Sequence, residues 1–502
     1  MKNRNNKILL LFMGSAITLL TACSKEWLNP APENELIIED TTFNDPNNAE
    51  RFVNACYTQL LTWDQTSFSW IGVTSITSDD ADKGSAPGDL GTDKDQLDNL
   101  TYSATTPSIR SVWRSNSQGI SRCNQALANV PKFNISAALI SRLRGEALFL
   151  RAYYYFNMVR TFGAVPIVDT VVDADNPSDL DKINDRRPVE EVYAFIESDL
   201  NTAIALLPTK QQYEAKDMGR ATKGAATGLL AKVSMYQKKW DRVLALTNSI
   251  INNEVGNYGL APDYATIWRE VGENNEESLF EIQSKGTTPF AAVQQYSQVQ
   301  GIRGGTFNPG AQVFTGWGFN SVSDDLYNSY EPGDIRRKYT IMSIGDTLFD
   351  GVILINMANT RYNYKAYVSR TLESYGNTTS TANKNVRILR MGEIYLMNAE
   401  AANELNQLDQ ARNRLNAVRS RANLGNTTAT TQAELRLAIW RERRWELGME
   451  NDRFYDLVRQ GRAGEVLRAH GKAFVDGKHE LFPVPTDEIY ASGNKLTQNP
   501  GY

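Results

Sequence analysis

The apolar positions of this chain follow two regimes. Over several stretches they recur at spacings of three and four, the period of one helix face; elsewhere that period dissolves into Ser, Thr, Gly, Asn and Asp. The strongest helical pattern runs from Ala137 to Phe162, with Leu139, Leu143, Ala147, Leu150 and Tyr154 on one face. It stops at Thr161-Phe162-Gly163, and Val165-Pro166 enforces a turn. A helix is predicted after Asp45-Pro46 through Phe52, Ala55, Cys56, Tyr57, Leu60 and Leu61, a second over Ser108 to Val130, and a third from Pro188, a favoured first-turn residue, to Leu207. Residues 219–254 hold two helices in succession; Gly224, Ala225, Gly228 and Ala231 allow close packing of the second, where Val243, Leu244 and Ile250 face inward. Residues 391–421 repeat that theme.

Each pair spans roughly the 34 residues of a tetratricopeptide repeat. The expected fold is therefore mainly α: a tetratricopeptide-like scaffold of about four helical pairs with a loop-rich, mixed half containing short strands. An irregular helical bundle is the alternative that pattern alone leaves open. The scaffold is assigned mainly to 46–62, 108–254 and 386–421, and the loop-rich half to 63–107 and 256–385. In the latter, Trp63 to Thr106 reads as one long loop holding Trp63, Phe68 and Trp70, and loops of that length usually carry function. Glu281-Ile282-Gln283 looks like a strand end, and a hairpin is expected around Ile341 to Ile355. Residues 435–502 form a corner followed by an extended strap ending in Asn-Pro-Gly-Tyr.

The corner, Arg441 to Arg462, is dense in charge yet threaded with Trp445, Leu447, Phe454, Tyr455, Leu457 and Val458. Gly448 and Asn451-Asp452 read as a helix stop and a fresh N-cap. Arg443–Glu446, Glu450–Arg453, Arg453–Asp456 and Asp456–Arg459 each place opposite charges three apart on a helical face. Buried charges must be paired, so Glu446, Glu450, Arg453 and Asp456 are expected to form a buried, mutually bonded ion-pair network. The competing reading is a catalytic carboxylate cluster. Interleaved arginines keep carboxylates ionised and weaken them as general acids, which favours the network.

The N-terminus changes the picture of where the chain works. Lys2, Arg4 and Lys7 precede an apolar run from Ile8 to Leu20 that is too short for a stable span. Leu20-Thr21-Ala22-Cys23 then resembles a bacterial lipoprotein lipobox, which implies a signal peptide over 1–22, lipidation at Cys23 and a polar tether over 23–45. An ordinary signal peptide with an incidental cysteine is the alternative. Of the other two cysteines, Cys56 and Cys123, no framework spacing requires pairing, and buried free thiols fit equally well.

At 502 residues the chain holds one large or two fused domains. Net charge −5 without a basic block argues against nucleic acid as a partner. With only His470 and His479, a Ser–His–Asp relay or a His-based zinc site has almost no material, so no catalytic residue, cofactor or metal is expected. Asp79, Asp80 and Asp82, with Asp89, Asp93 and Asp95, could offer oxygen ligands to Ca²⁺, but lack EF-hand spacing; a solvated acidic loop is the favoured reading.

Several motifs together resemble the SusD/RagB family. They are the lipobox Cys23, the run Leu143-Arg144-Gly145-Glu146-Ala147 through Tyr155, Gly163-Ala164-Val165-Pro166, Met391-Gly392-Glu393-Ile394-Tyr395-Leu396 with Ala399-Glu400-Ala401, Arg443 to Arg459, and Phe482-Pro483-Val484-Pro485 through Tyr502. The resemblance implies a surface-exposed, outer-membrane lipoprotein of Bacteroidetes. It would cap a SusC-like TonB-dependent transporter, with the repeat face docking the transporter and the loop-rich half facing an oligosaccharide or other oligomer. A surface-anchored glycosidase and a pure protein–protein scaffold are the alternatives. Sugar rings present C–H faces that stack on aromatic rings, which makes Trp63, Trp70, Tyr296, Trp317 and Phe319 ligand candidates, with Arg303 and Asn320 as polar partners. For each, burial in the core is the competing role. Trp317 leads, because Gly316 and Gly318 leave bare backbone on both sides of it.

Overall fold

The computed structural model describes residues 43, 45–86, 88–89, 93–285, 295–313, 315–374 and 382–502. The expected signal peptide, Cys23 and nearly all of the tether lie outside the described residues.

Eight helices form the scaffold: α1 (Pro46–Leu60), α2 (Pro107–Asn129), α3 (Ala137–Phe162), α4 (Val189–Leu206), α5 (Lys223–Tyr236), α6 (Trp240–Ile251), α7 (Met391–Glu404) and α8 (Leu408–Arg421). Each packs on the next, so the four pairs stack as a short solenoid. Local chemistry sets the ends. The Asp45 carboxylate accepts the Asn47 N–H at 2.9 Å to start α1, and the Ser136 hydroxyl accepts the Leu139 N–H at 3.2 Å to start α3. Losing a cap of this kind costs about 1 kcal/mol. Gly163, at φ 73°, ends α3 in a conformation that other residues adopt at a cost. The small residues of α5 do allow close packing, but their room is taken by residues outside α6: a Cβ on Gly228 would meet Leu389 at 2.7 Å and Leu279 at 2.8 Å, and one on Gly224 would press on Tyr258. Helix α3 is buried around nearly its whole circumference from Gly145 to Phe162, because α2 and α4 flank it.

Long insertions interrupt the pairs, and short two-stranded ladders tie them down. Strand β1 (Ala81–Gly84) pairs antiparallel with β3 (Phe319–Val322), Ala81 opposite Val322 and Gly84 opposite Phe319. Strand β2 (Ser278–Ile282) pairs with β6 (Val386–Arg390), and β4 (Ile341–Ser343) with β5 (Arg361–Asn363). The hairpin expected around Ile341 to Ile355 forms at its centre, where Gly345 N–H donates to Leu354 O at 2.7 Å, Leu354 N–H to Asp346 O at 3.0 Å, and Thr347 bridges Ile353 antiparallel. Its flanks pair elsewhere, β4 with residues 361–363 and Leu354–Asn356 with Thr306–Phe307.

The segment after Trp63 also differs from expectation. It is not an exposed loop: short helical turns occupy Trp63–Thr66, Phe68–Ile71 and Gly72–Ile76, and residues 69–81 are all buried. Its hydroxyls explain how so polar a stretch enters a core. Thr74 Oγ1 donates to Trp70 O at 2.7 Å, Thr77 Oγ1 to Val73 O at 2.7 Å, and Ser78 Oγ to Ser75 O at 2.7 Å. Each of these three hydroxyls is satisfied within its own turn, which lowers the cost of burying it.

After α8, helix α9 (Gln432–Leu447) starts with a reciprocal cap between Thr431 and Glu434 and lies against α7. Gly448 ends it, Met449 and Asn451 turn the chain at positive φ, and α10 (Arg453–Arg459) follows. The strap then closes on α3: Phe482 N–H donates to Thr161 O at 2.8 Å, and Tyr502 stacks on Tyr102 at 6.2 Å. Among the described residues no helix is long and apolar enough to cross a membrane.

Candidate functional site

Two groupings compete as the place where this protein acts, the charged corner and the aromatic residues of the insertions. In the corner, Glu446 is completely buried beneath three guanidinium groups. Arg390 and Arg421 donate to Oε1, and Arg336 donates to Oε2 at 3.2 Å. Burial alone would raise its carboxyl; the charges of Arg421, Arg390 and Arg336 outweigh burial and hold it well below the usual range. Glu450 accepts from Arg390 Nε at 2.9 Å and Lys365 Nζ at 2.7 Å. Asp456 accepts from Arg443 at 2.7 Å and Arg459 at 3.0 Å, and Arg453 donates twice to Asp79, at 2.8 Å each.

The four residues are therefore paired, but not with one another. Of the four spacings read as i,i+3 pairs, only Asp456–Arg459 forms; Glu446, Glu450 and Arg453 take partners from distant elements. Arg443 and Glu446 share α9, and Arg453 and Asp456 share α10, but in both pairs the arginine is drawn off by other acids, Arg443 by Glu393 and Asp456 and Arg453 by Asp79. Glu450 precedes α10 and so has no helical face in common with Arg453. Asp452, at the N-cap position of α10, likewise leaves the backbone uncapped and accepts from Arg160 at 2.9 Å and from Lys232. Partners from α3, α5, α7 and α8 meet partners from the insertions here, so the corner joins the scaffold to the loop-rich half.

In the acidic run Asp82 and Asp95 are exposed, as expected, but the first two acids depart from the solvated state. Asp79 and Asp80 are buried, and Arg444 donates to Asp80 at 2.7 Å while Arg453 holds Asp79. Burial would raise Asp79, but Arg453 and Arg444 bring it well down; for Asp80, burial dominates and its carboxyl is raised. The two adjacent acids act as anchors for the corner arginines. Cys56 and Cys123 are both buried free thiols.

The aromatic residues sort into two environments. Trp63, which opens the short helix after α1, and Trp317, just before β3, lie with ring centroids 5.2 Å apart and planes inclined by 54°. Both are partly exposed. Phe68 supports them from below, 5.1 Å from Trp63 and edge-on to Trp317 at 6.3 Å, and Phe319 continues the stack inward at 4.8 Å from Phe68. Trp317 is held by its backbone: its N–H donates to Gln298 O at 2.9 Å, and Arg303 Nη1 donates to its carbonyl at 3.3 Å. The flanking glycines serve that seating rather than openness. A Cβ on Gly318 (φ 75°) would lie 2.8 Å from the Arg303 Cβ, and one on Gly316 would press on Gly301.

The other candidates are core residues. Trp70 is 5% exposed, with the Arg160 guanidinium 5.6 Å from its ring. Phe319 is buried as the floor of the stack. Tyr296 is buried, with its hydroxyl donating to Met449 O at 3.3 Å, and Asn320 is buried and donates to Gln300 Oε1 at 2.7 Å. These four were expected as ligand contacts and are instead buried, Trp70 on the turn Phe68–Ile71, Phe319 and Asn320 on β3, and Tyr296 on the helix Tyr296–Gln300. Of the seven, the structure unites Trp63, Trp317 and Arg303 at one surface. Phe68, Ser85 and Asp89 support that surface and are not among the seven; the sequence marks Phe68 only as an aromatic of the same segment and Asp89 only as part of the acidic run, and nothing local marks the buried Ser85.

A stacked-helix scaffold thus presents a partly exposed tryptophan pair at one surface, while Glu446, Glu450 and Asp456 of the corner are held by arginines. The comparisons place it more closely. Residues 27–235 match a family model described as "Starch-binding associating with outer membrane", and residues 351–502 match one described as "SusD family". Both matches are to models of SusD type, one at each end of the chain. It is 27% identical over 441 residues to SusD-like protein P2 of Formosa agariphila, covering 83% of this chain and 85% of that one. A solved structure named "Laminarin binding SusD-like protein" superposes with a TM-score of 0.78 at 28% identity, over 92% of this chain and 100% of that one. Surface glycan-binding protein A from Bacteroides fluxus does so with a TM-score of 0.75 at 26% identity, over 91% and 100%.

Proposed function

We propose that this chain is a cell-surface lipoprotein, anchored through Cys23, that captures oligosaccharides on Trp63 and Trp317 and delivers them to a SusC-like TonB-dependent outer-membrane transporter. The observation that carries the capture step is the meeting of two tryptophans, far apart in sequence, at one surface over a buried aromatic base. Indole faces inclined by 54° can grip a bent chain of sugar rings through their C–H faces, a geometry of little use to a core. The relative named for laminarin binding supports a glycan as ligand, and the outer-membrane wording of the matched family model supports the location. The lipobox supports the anchor, and the repeat face is the surface left for the transporter.

Trp317→Ala and Trp63→Ala should each weaken glycan affinity about tenfold or more, as loss of an aromatic anchor does elsewhere, while the melting temperature stays near wild type. Calorimetric titration over a panel of glycans measures the first and thermal denaturation the second. Unchanged affinity in both variants removes the pair from the site, and release of any cleavage product by the purified protein refutes capture without turnover. Co-purification of the barrel transporter with the chain from native membranes tests the delivery step.

A further inference from the structure

The charges at the tryptophan surface are compensated before any ligand arrives. The Arg303 side chain, 34% exposed, is the cation nearest Trp317. Its guanidinium donates to Ser85 Oγ at 2.6 Å, to both carboxylate oxygens of Asp89, and to the Trp317 carbonyl. Asp89 cannot easily swing away, because the Ser85 hydroxyl also donates to it. The second cation, Lys94, lies 3.8 Å from the Phe68 ring centroid but is fully buried, donating to Asp93 at 2.8 Å and Ser108 at 2.7 Å. Asp64, next to Trp63 in the chain, accepts the Ser69 hydroxyl at 2.6 Å and acts electrostatically on Lys94. Lys83 donates to the Asp89 carbonyl at 3.2 Å and to the Asp95 carboxylate at 2.7 Å, so three cations face four carboxylates. The undescribed stretches between residues 87 and 381 contain no charged residue, so none of them can supply another cation.

A uronate or sulfate ester on a sugar needs an unneutralised donor, and it meets like charge where carboxylates are in excess. Hydroxyl groups of a neutral sugar meet no such penalty. We propose that the Trp63–Trp317 surface selects neutral oligosaccharides and rejects uronate- or sulfate-bearing ones, with the Asp89–Arg303 pair as the element that sets this preference. The inference rests on the reading of that surface as a glycan site. In it Arg303 is a positioning residue: it seats the Trp317 backbone, and its charge is consumed by Asp89.

Calorimetric titration of the wild-type chain with neutral hexasaccharides of several linkages, and with oligouronates and sulfated oligosaccharides of the same length, tests it. The tightest neutral probe is expected to bind at least about tenfold better than any anionic one. Asp89→Asn, which uncovers the Arg303 charge, should tighten anionic probes several-fold at low salt, a gain erased by about 0.5 M salt. Equal or tighter binding of an anionic probe by wild type overturns the proposal, and this comparison needs no variant. A folded D89N chain whose affinity for anionic probes is unchanged overturns the role of the pair. Binding by no probe of either class overturns the glycan reading itself, and Trp317→Ala in parallel shows whether any binding seen belongs to this surface.

Discussion

The corner and the tryptophan surface are built from opposite materials. The corner gathers many charges and buries nearly all of them; the surface gathers few charges and leaves its largest apolar rings partly open. The density of ionisable groups thus marks where the molecule is fastened, and the exposed rings mark where it meets something else. The carboxylates of the corner are committed to arginine or lysine partners, as Glu446 is to three guanidinium groups. The indoles of Trp63 and Trp317 pack against Phe68 and each other and stay partly exposed.

The sharpest way to break this comparison is at its most buried charge. Glu446→Ala would strand the buried Arg336, Arg390 and Arg421 around a cavity. Removing one member of such a network costs roughly 3–5 kcal/mol, so the chain should unfold at markedly lower denaturant concentration or fail to fold. A Glu446→Ala chain with wild-type stability would show that the corner does not fasten the halves.

Acid should produce the next largest effect. Glu446, Asp79, Asp452 and Asp456 all have carboxyls held below their ordinary values by arginine or lysine charges that outweigh burial. A depressed folded-state value stabilises the fold fully above the unfolded carboxylate value, about pH 4, and that contribution is lost as pH falls through the folded values. Asp80 and Glu442, raised by burial, act in the opposite sense and soften the loss. The melting temperature should therefore fall below about pH 4, in a steepening manner. A melting temperature flat between neutrality and pH 3 (about that value) would contradict the network.

The smallest effect belongs to charges outside both regions. Arg110 and Asp487 pair at 2.5 Å, but their side chains are 43% and 48% exposed. Arg110→Ala should change stability by about 0–1 kcal/mol and leave glycan affinity unaltered, which thermal and calorimetric titrations of the variant would check.

Much of the scaffold was legible in the sequence because helical periodicity, prolines at first turns and hydroxyl caps are local signals. Pro46, Pro107, Ser136 and Gly163 bound their helices within a residue or two of the expected ends. Small residues in α5 foretold close packing for the same reason. The Ser/Thr-rich stretch after Trp63 was misjudged, because its polarity is cancelled by hydroxyl bonds within the turn, a cancellation that composition does not display.

By itself, the sequence determined the helical pairs, the break at Gly448, the presence of a charged corner and the aromatic stock from which a site could be drawn. Only the tertiary structure decided which charge faces which and which ring faces solvent. The physical reason is range. A cap or a three-residue period acts within a few residues, whereas Glu446 finds Arg336 and Trp63 finds Trp317 only after insertions between the helical pairs have folded back onto the scaffold. The same folding turns Trp70, Tyr296, Phe319 and Asn320 inward, although nothing in their neighbouring residues distinguishes them from the two tryptophans that remain outside.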